Sequence, residues 1–198
     1  MRDRMAGVRQ FDEEQAFTEA LAVFWRKGYR ATSMLDLAEA TGVQRGSLYN
    51  AYGDKEEIFI RVFERYTSAF IANARTALDK PDVREALTAF FNFAIRSIRQ
   101  GTPARGCLST KTALDLDAES PRVRAALQTM LDQLEAVVLD ALSRPAADQQ
   151  LAIPARHAAT LIVTVTRGIA VMERVYADPK SLKQTAAALI DAVAPPHS

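Results

Sequence analysis

Apolar residues recur along this chain three and four positions apart, and nowhere do they alternate for the length of a strand. The first stripe is Phe17, Ala20, Leu21, Phe24 and Trp25. Phe11 precedes Asp12, and Gln15 follows three residues on, so a capping box behind a hydrophobic staple predicts the start of this helix. Gly28 predicts its end. For the short second helix, Thr32 or Ser33 supplies the cap, Asp36 completes a capping box with Ser33, and Thr41-Gly42 stops it. Gln44 opens a third helix running to Asn50. Asp54 and Glu57 repeat the cap pattern. Ile58, Phe59, Val62, Phe63 and Tyr66 then stripe a fourth helix to about Leu78, where Asp79-Lys80-Pro81 breaks it.

The remainder is helical filling between prolines. Pro81, Pro103, Pro121, Pro145, Pro154, Pro179 and the Pro195-Pro196 pair separate helical patterns at 82–99, 104–117, 122–143, 155–177 and 181–194. The fold class is therefore all-α. The 155–177 segment is apolar on most sides, through Ala158, Leu161, Ile162, Val163, Val165, Ile169, Val171, Met172 and Val175. Such a helix is buried on both faces, which in a small domain implies one face on the core and one on another subunit. Gly168 inside it would admit a close neighbour, and 181–194, with Ala186, Ala187, Leu189, Ile190 and Val193, is its natural partner.

Composition narrows the chemistry. With 198 residues, 48% hydrophobic content and a net charge of +1, the chain gives no global sign of nucleic-acid binding, so any such surface is local. The single cysteine excludes an internal disulfide and fits a reducing cytoplasm. Arg2, Arg4 and Arg9 stand in an apolar-poor N-terminus that reads as a loose arm, not as a secretory signal. No apolar run is long enough for a membrane span, so no membrane partner is expected. A Gly-rich phosphate loop, a His-Glu-x-x-His run and a nucleophile with a nearby His are all missing, which argues against an enzyme. His157, His197 and one cysteine do not make a metal set, and no cofactor is expected.

Residues 30–50 carry the sharpest signal. Ala38 stands where two helices would cross, Gly42 in the turn and Leu48 as anchor, with Leu37 and Val43 as the seam. This is helix-turn-helix spacing. The second helix then turns polar and aromatic side chains outward. Gln44, Arg45 and Asn50 suit base edges or phosphates, Ser47 and Tyr49 suit phosphates, and Gly46 permits close backbone approach. Lys55 lies in the first turn of the fourth helix, where a cation opposes the helix dipole. A phosphate across that end would account for it; compensation by Glu56 and Glu57 is the plainer reading. Arg26, Lys27 and Arg30 suit phosphate or solvent equally.

The series Phe24…Gly28-Tyr29…Thr32-Ser33…Leu37-Ala38…Gly42-Val43…Gly46-Ser47-Leu48-Tyr49…Tyr52…Lys55-Glu56 resembles the DNA-binding domain of TetR-type (tetracycline-repressor-like) regulators over residues 11–63. Tyr52 departs from the family's usual Phe, and its hydroxyl needs a partner. The resemblance implies a DNA-binding domain over 1–53 and a ligand-binding and dimerisation domain over 54–198. It implies that the last two helices form a four-helix bundle across a homodimer axis. Thr32, Ser47, Tyr49, Asn50 and Lys55 would then hold the DNA backbone and Gln44 and Arg45 would read bases, with Ser33 and Gly46 completing the DNA-binding set. The partner implied is a palindromic double-stranded operator, and an effector would release the protein by moving the fourth helix.

Two features bear on the effector. Phe90, Phe91, Phe93, Ile95 and Ile98 enrich the first helix of the larger domain, and Met130, Leu134, Thr164 and Thr166 lie on helices expected to face it. Arg167 interrupts an apolar helix and needs a carboxylate, solvent or an anionic ligand. The second feature is Cys107. Arg105 and Lys111 flank it and would lower its pKa; the bland alternative is a small buried hydrophobe. Gly106-Cys107-Leu108, followed by Thr112-Ala113-Leu114, resembles a branch of the family that includes regulators responsive to electrophiles, oxidants or metals. The candidate effector residues are thus Phe90, Phe91, Ile95, Cys107, Met130, Leu134, Thr164 and Arg167. The expected function is a dimeric repressor released by a small molecule or by modification of Cys107. The alternatives are a small-molecule-binding protein of the same fold without DNA control, and a thiol enzyme centred on Cys107.

Overall fold

The computed structural model describes residues 12–101, 104–115, 120–144, 147 and 150–196. Phe11, the N-terminal arginines, Pro103, Pro145 and His197 lie outside them. Among the described residues the regular structure is all helical. The helices are α1 (Glu13–Lys27), α2 (Met34–Thr41), α3 (Arg45–Tyr52), α4 (Lys55–Leu78), α5 (Val83–Ile98), α6 (Leu108–Asp115), α7 (Pro121–Leu142), α8 (Ala155–Tyr176) and α9 (Pro179–Val193).

The caps fall where the sequence puts them. The Asp12 carboxylate accepts from the amides of Glu14 and Gln15. Ser33 and Asp36 form a reciprocal capping box on α2, and Asp54 accepts from the Glu57 amide. Gly42 closes α2 in the left-handed region at φ 65°. Gly28 closes α1 at φ 83°, a backbone that favours glycine, and a Cβ there would have to displace the Asp115 carboxylate on α6. Pro121 and Pro179 sit in the first turns of α7 and α9, where the missing N–H costs nothing.

α4 is the element the others pack on. It meets α1 on one side and α5 and α7 on the other, while α8 packs on α7 and α9 on α5. An aromatic seam runs along it. Phe59 meets Phe24 and Tyr29 from the head at ring separations of 5.0 and 4.9 Å, Tyr66 meets Trp25 at 5.2 Å, and Phe70 meets Phe93 of α5 at 5.0 Å. These edge and tilted contacts add to the area they bury. Tyr52 is buried in the same head. Its hydroxyl bonds the Glu13 carboxylate, and burial together with that charge pushes its pKa up to about 12.

α8 divides as expected into two faces. Ala158, Ile162, Thr166, Ile169 and Glu173 are buried. Leu161, Val171, Met172, Val175 and Tyr176 are exposed, Val175 and Tyr176 by 66% and 71%. Among the described residues, none outside its own helix turn comes within 4 Å of where a Cβ on Gly168 would stand.

Candidate nucleic-acid interface and its connection to Cys107

α3 is two turns long and is held from below by Leu48 and Tyr52, both buried. Leu48 belongs to one core with Leu37, Val43 and Met34, so truncating it to Ala costs about 2–5 kcal/mol. With that anchor inward, Gln44, Arg45, Gly46, Ser47, Tyr49 and Asn50 are all exposed. Gln44 is the N-cap and makes no side-chain cap bond, which leaves its amide unengaged in capping. The Arg45 guanidinium stands 5.7 Å from the Tyr49 ring centre. The outward row is thus one amide, one guanidinium, one hydroxyl, one phenol and a second amide on a single short helix.

Three of the expected DNA-binding residues are placed otherwise. Thr32 is buried, and its hydroxyl donates to the Gly28 carbonyl at 2.6 Å, because this turn leaves that acceptor beneath it. Its side chain faces the protein and is corrected out of the DNA-facing set. Ser33 is exposed, but its hydroxyl is engaged with Asp36 in the capping box. The Lys55 ammonium folds back over the Tyr29 ring at 4.5 Å and donates to the Tyr29 carbonyl at 3.1 Å and the Arg30 carbonyl at 3.4 Å. The cation in the first turn of α4 is therefore matched by carbonyls of the α1–α2 turn. Glu56 and Glu57 are held by Arg122 of α7.

A second lysine grips the same helix end. Lys111 of α6 donates to the carbonyls of Trp25 at 2.8 Å and Arg26 at 3.0 Å. The last carbonyls of a helix are unsatisfied and carry its negative pole, so an ammonium there is doubly favourable. α1 in turn holds α2 through Lys27 and Asp36, 2.5 Å apart. Lys27, then the Ser33 amide and hydroxyl, hold the Asp36 carboxyl down at about 2.

Cys107 lies just before α6, and its carbonyl accepts from the Lys111 amide at 3.0 Å. The cation beside its sulfur is neither flanking residue. Arg105 lies 4.1 Å over the Trp25 ring, and Lys111 is occupied on α1. Arg167 of α8 supplies the charge. Its Nη1 reaches Cys107 Sγ at 3.5 Å and Ser109 Oγ at 2.6 Å, and Ser109 Oγ lies 3.1 Å from the sulfur. Burial pushes the thiol up, but Arg167 and hydrogen bonds from Ser109 and Thr110 outweigh it, and the net pKa is below that of an ordinary cysteine. The partner that Arg167 needs is thus this sulfur and its hydroxyl neighbour.

The other expected effector residues do not gather around a cavity. Phe90, Phe91, Met130 and Leu134 are at most 2% exposed and belong to the closed hydrophobic core. Ile95 is buried as well, and lines an opening of about 740 Å³ with Arg99 and Lys183. Thr164 is exposed on α8 and donates to its own helix at the Thr160 carbonyl, 2.8 Å away. Phe90, Phe91, Met130, Leu134 and Thr164 thus depart from a pocket drawn from helical faces alone, while Ile95 keeps a place on an opening. Among the described residues no cluster of His, Cys, Asp and Glu forms a metal set, and no helix is long and apolar enough to cross a membrane.

Comparison with known proteins is consistent with this arrangement. Residues 17–62 match the family described as bacterial regulatory proteins, tetR family, and residues 83–189 match the tetracyclin repressor-like C-terminal domain. The HTH-type transcriptional repressor ComR of Escherichia coli is 27% identical over 180 residues, covering 89% of this chain and 86% of ComR. Cysteine-substituted CifR, a TetR family transcriptional regulator solved on a 26-base-pair operator DNA, superposes with a TM-score of 0.84 at 29% identity, covering 93% of this chain and 98% of that one. The reduced form of E. coli NemR superposes at 0.83, covering 93% of this chain and 98% of that one; at 17% identity it speaks to the fold alone.

Proposed function

Because the chain belongs to the tetR family of bacterial regulatory proteins, and is accordingly a DNA-binding transcriptional regulator and not an enzyme, we propose that it is a homodimeric repressor whose two α3 helices read a palindromic operator. The single observation that carries this reading is the exposed row Gln44, Arg45, Ser47, Tyr49 and Asn50 on a helix anchored by Leu48. Gln44 and Arg45 make base-edge contacts, and Ser47, Tyr49 and Asn50 make phosphate contacts. Lys55 holds the turn before α2 with two of its three N–H donors, and the third remains for a phosphate.

The exposed apolar face of α8, with Met172, Val175 and Tyr176, supports a second copy packed there, beside Gly168. The reading divides the chain into a DNA head over 1–53 and an effector and dimerisation body over 54–198. Lys111 and Lys55 join the two through the end of α1.

Control acts through a small molecule or through Cys107. In the thiol route the Cys107 sulfur attacks an electrophilic carbon, forming a carbon–sulfur bond as a leaving group departs or, in conjugate addition, as the adjacent carbon takes up a proton. The thiolate charge facing Arg167 is lost, and the added group crowds the first turn of α6. Lys111 then shifts its hold on α1, which resets the angle of α2 and α3. A gel shift on the DNA flanking the protein's own gene tests the core of this reading. The parent retards it, Tyr49→Ala weakens binding to every sequence, and Arg45→Ala changes the sequence preference. Retardation unchanged by both variants overturns the assignment of α3.

A further inference from the structure

A cleft of about 390 Å³ opens where the head meets the body, away from the closed core of α5 and α7. Its volume falls in the range of small-molecule sites. One wall is aromatic: Phe17 and Trp25 from α1, Tyr66 and Phe70 from α4, and Phe93 from α5. The polar part is one-signed. Arg65, Arg96 and Arg105 line it, and no Asp or Glu does among the described lining residues. Arg65 is already paired with Glu14. Arg96 and Arg105 have no carboxylate partner among the described residues. Arg105 is held in place by its Nε bond to the Ser97 carbonyl at 3.2 Å and by the Trp25 ring beneath it, and neither contact uses its Nη atoms. Burial works against its charge, as its lowered pKa reflects, so an incoming anion relieves an existing cost.

From these walls and charges we propose that the cleft between α1, α4 and α5 is an effector site for an amphipathic carboxylate, separate from Cys107. The apolar body lies on the aromatic wall, and the carboxylate meets Arg96 and the free edge of Arg105, a fork whose geometry matches two carboxylate oxygens. Because Phe17, Leu21 and Trp25 belong to α1 while the other walls belong to the body, an occupant fixes the head against the body. The effect on operator binding rests on the repressor reading; binding to the cleft does not.

Trp25 is the only tryptophan in the chain, so its emission reports the cleft and the adjoining opening that it also lines, and Arg96, which lines the cleft and not that opening, tells the two apart. The test is a titration of the full chain without DNA, using decanoate and, separately, 1-decanol, followed by Trp25 emission and by calorimetry. A saturable emission change with decanoate is expected, with decanol at least about tenfold weaker. Arg96→Gln, an exposed position, and Arg105→Gln each weaken decanoate about tenfold while decanol is unchanged. Cys107→Ser binds decanoate like the parent. No heat and no emission change, equal affinity for acid and alcohol, or parental affinity in both arginine variants would overturn the proposal. A gel shift repeated with decanoate then reads the coupling to DNA on its own.

Discussion

Lys111 Nζ sits 2.8 Å from the backbone carbonyl of Trp25, so one ammonium on α6 closes the end of the helix on which the DNA-reading unit is mounted. The residues lie 86 positions apart in sequence. Lys55 closes the next turn of the same segment from α4. Two cations from two helices thus hold the end of α1 and the turn that follows it. Lys111→Met keeps the alkyl stem and removes the donors. It is expected to cost about 1–2 kcal/mol, since charge-assisted hydrogen bonds to a half-buried acceptor are being lost. Amide exchange in the α1–α2 turn should speed up more than exchange in α5 or α7. Equal exchange in both regions would show that Lys111 is no latch.

Asp36 makes α2 sensitive to acid in a predictable direction. Lys27 and Ser33 lower its carboxyl from 3.8 to about 2. A depressed folded-state pKa contributes stability that is present above the unfolded value and is lost as pH falls through the folded one. Asp36→Asn should therefore melt below the parent at neutral pH, with the gap closing between 3.8 and about 2. The carboxylate is partly exposed, so added salt narrows the gap too. A gap independent of pH would assign the effect to the capping bonds and not to the charge.

Much of this was legible along the chain. Ser33 and Asp36 announce a capping box, Gly28 and Gly42 announce helix ends, and the stripe ending near Leu78 marks α4, because caps and periodicity are local and need only neighbouring residues. What periodicity does not carry is the partner across the fold. Phe90, Met130 and Leu134 lie on the faces expected to meet, yet such faces pack closed as readily as they leave a cavity. Thr32 and Lys55 are polar and follow the family pattern, but backbone carbonyls at the end of α1 satisfy them first, and no side-chain pattern reveals a carbonyl. The charge beside Cys107 comes from Arg167, 60 residues on, not from its flanking cations. Its one sequence signal was an arginine midway along an otherwise apolar stretch of helix.

That pair makes its own prediction. Arg167→Gln removes the charge favouring the thiolate, so the thiol pKa rises toward that of an ordinary cysteine. Alkylation by iodoacetamide near neutral pH should slow about tenfold for each unit regained, and the two proteins should converge at alkaline pH. Rates that agree across the whole pH range would show that access to the sulfur, not its ionisation, sets its reactivity.

The central claim is that a paired molecule sets residues 44–50 of each copy into successive grooves on one face of a duplex. Hydroxyl-radical footprinting on the DNA fragment that the protein retards tests this most directly. Two protected patches on the same face, about 34 Å apart and related by a two-fold axis, are predicted, and Tyr49→Ala should fade both together. A single patch, protection spread evenly around the duplex, or a footprint indifferent to Tyr49 would contradict it.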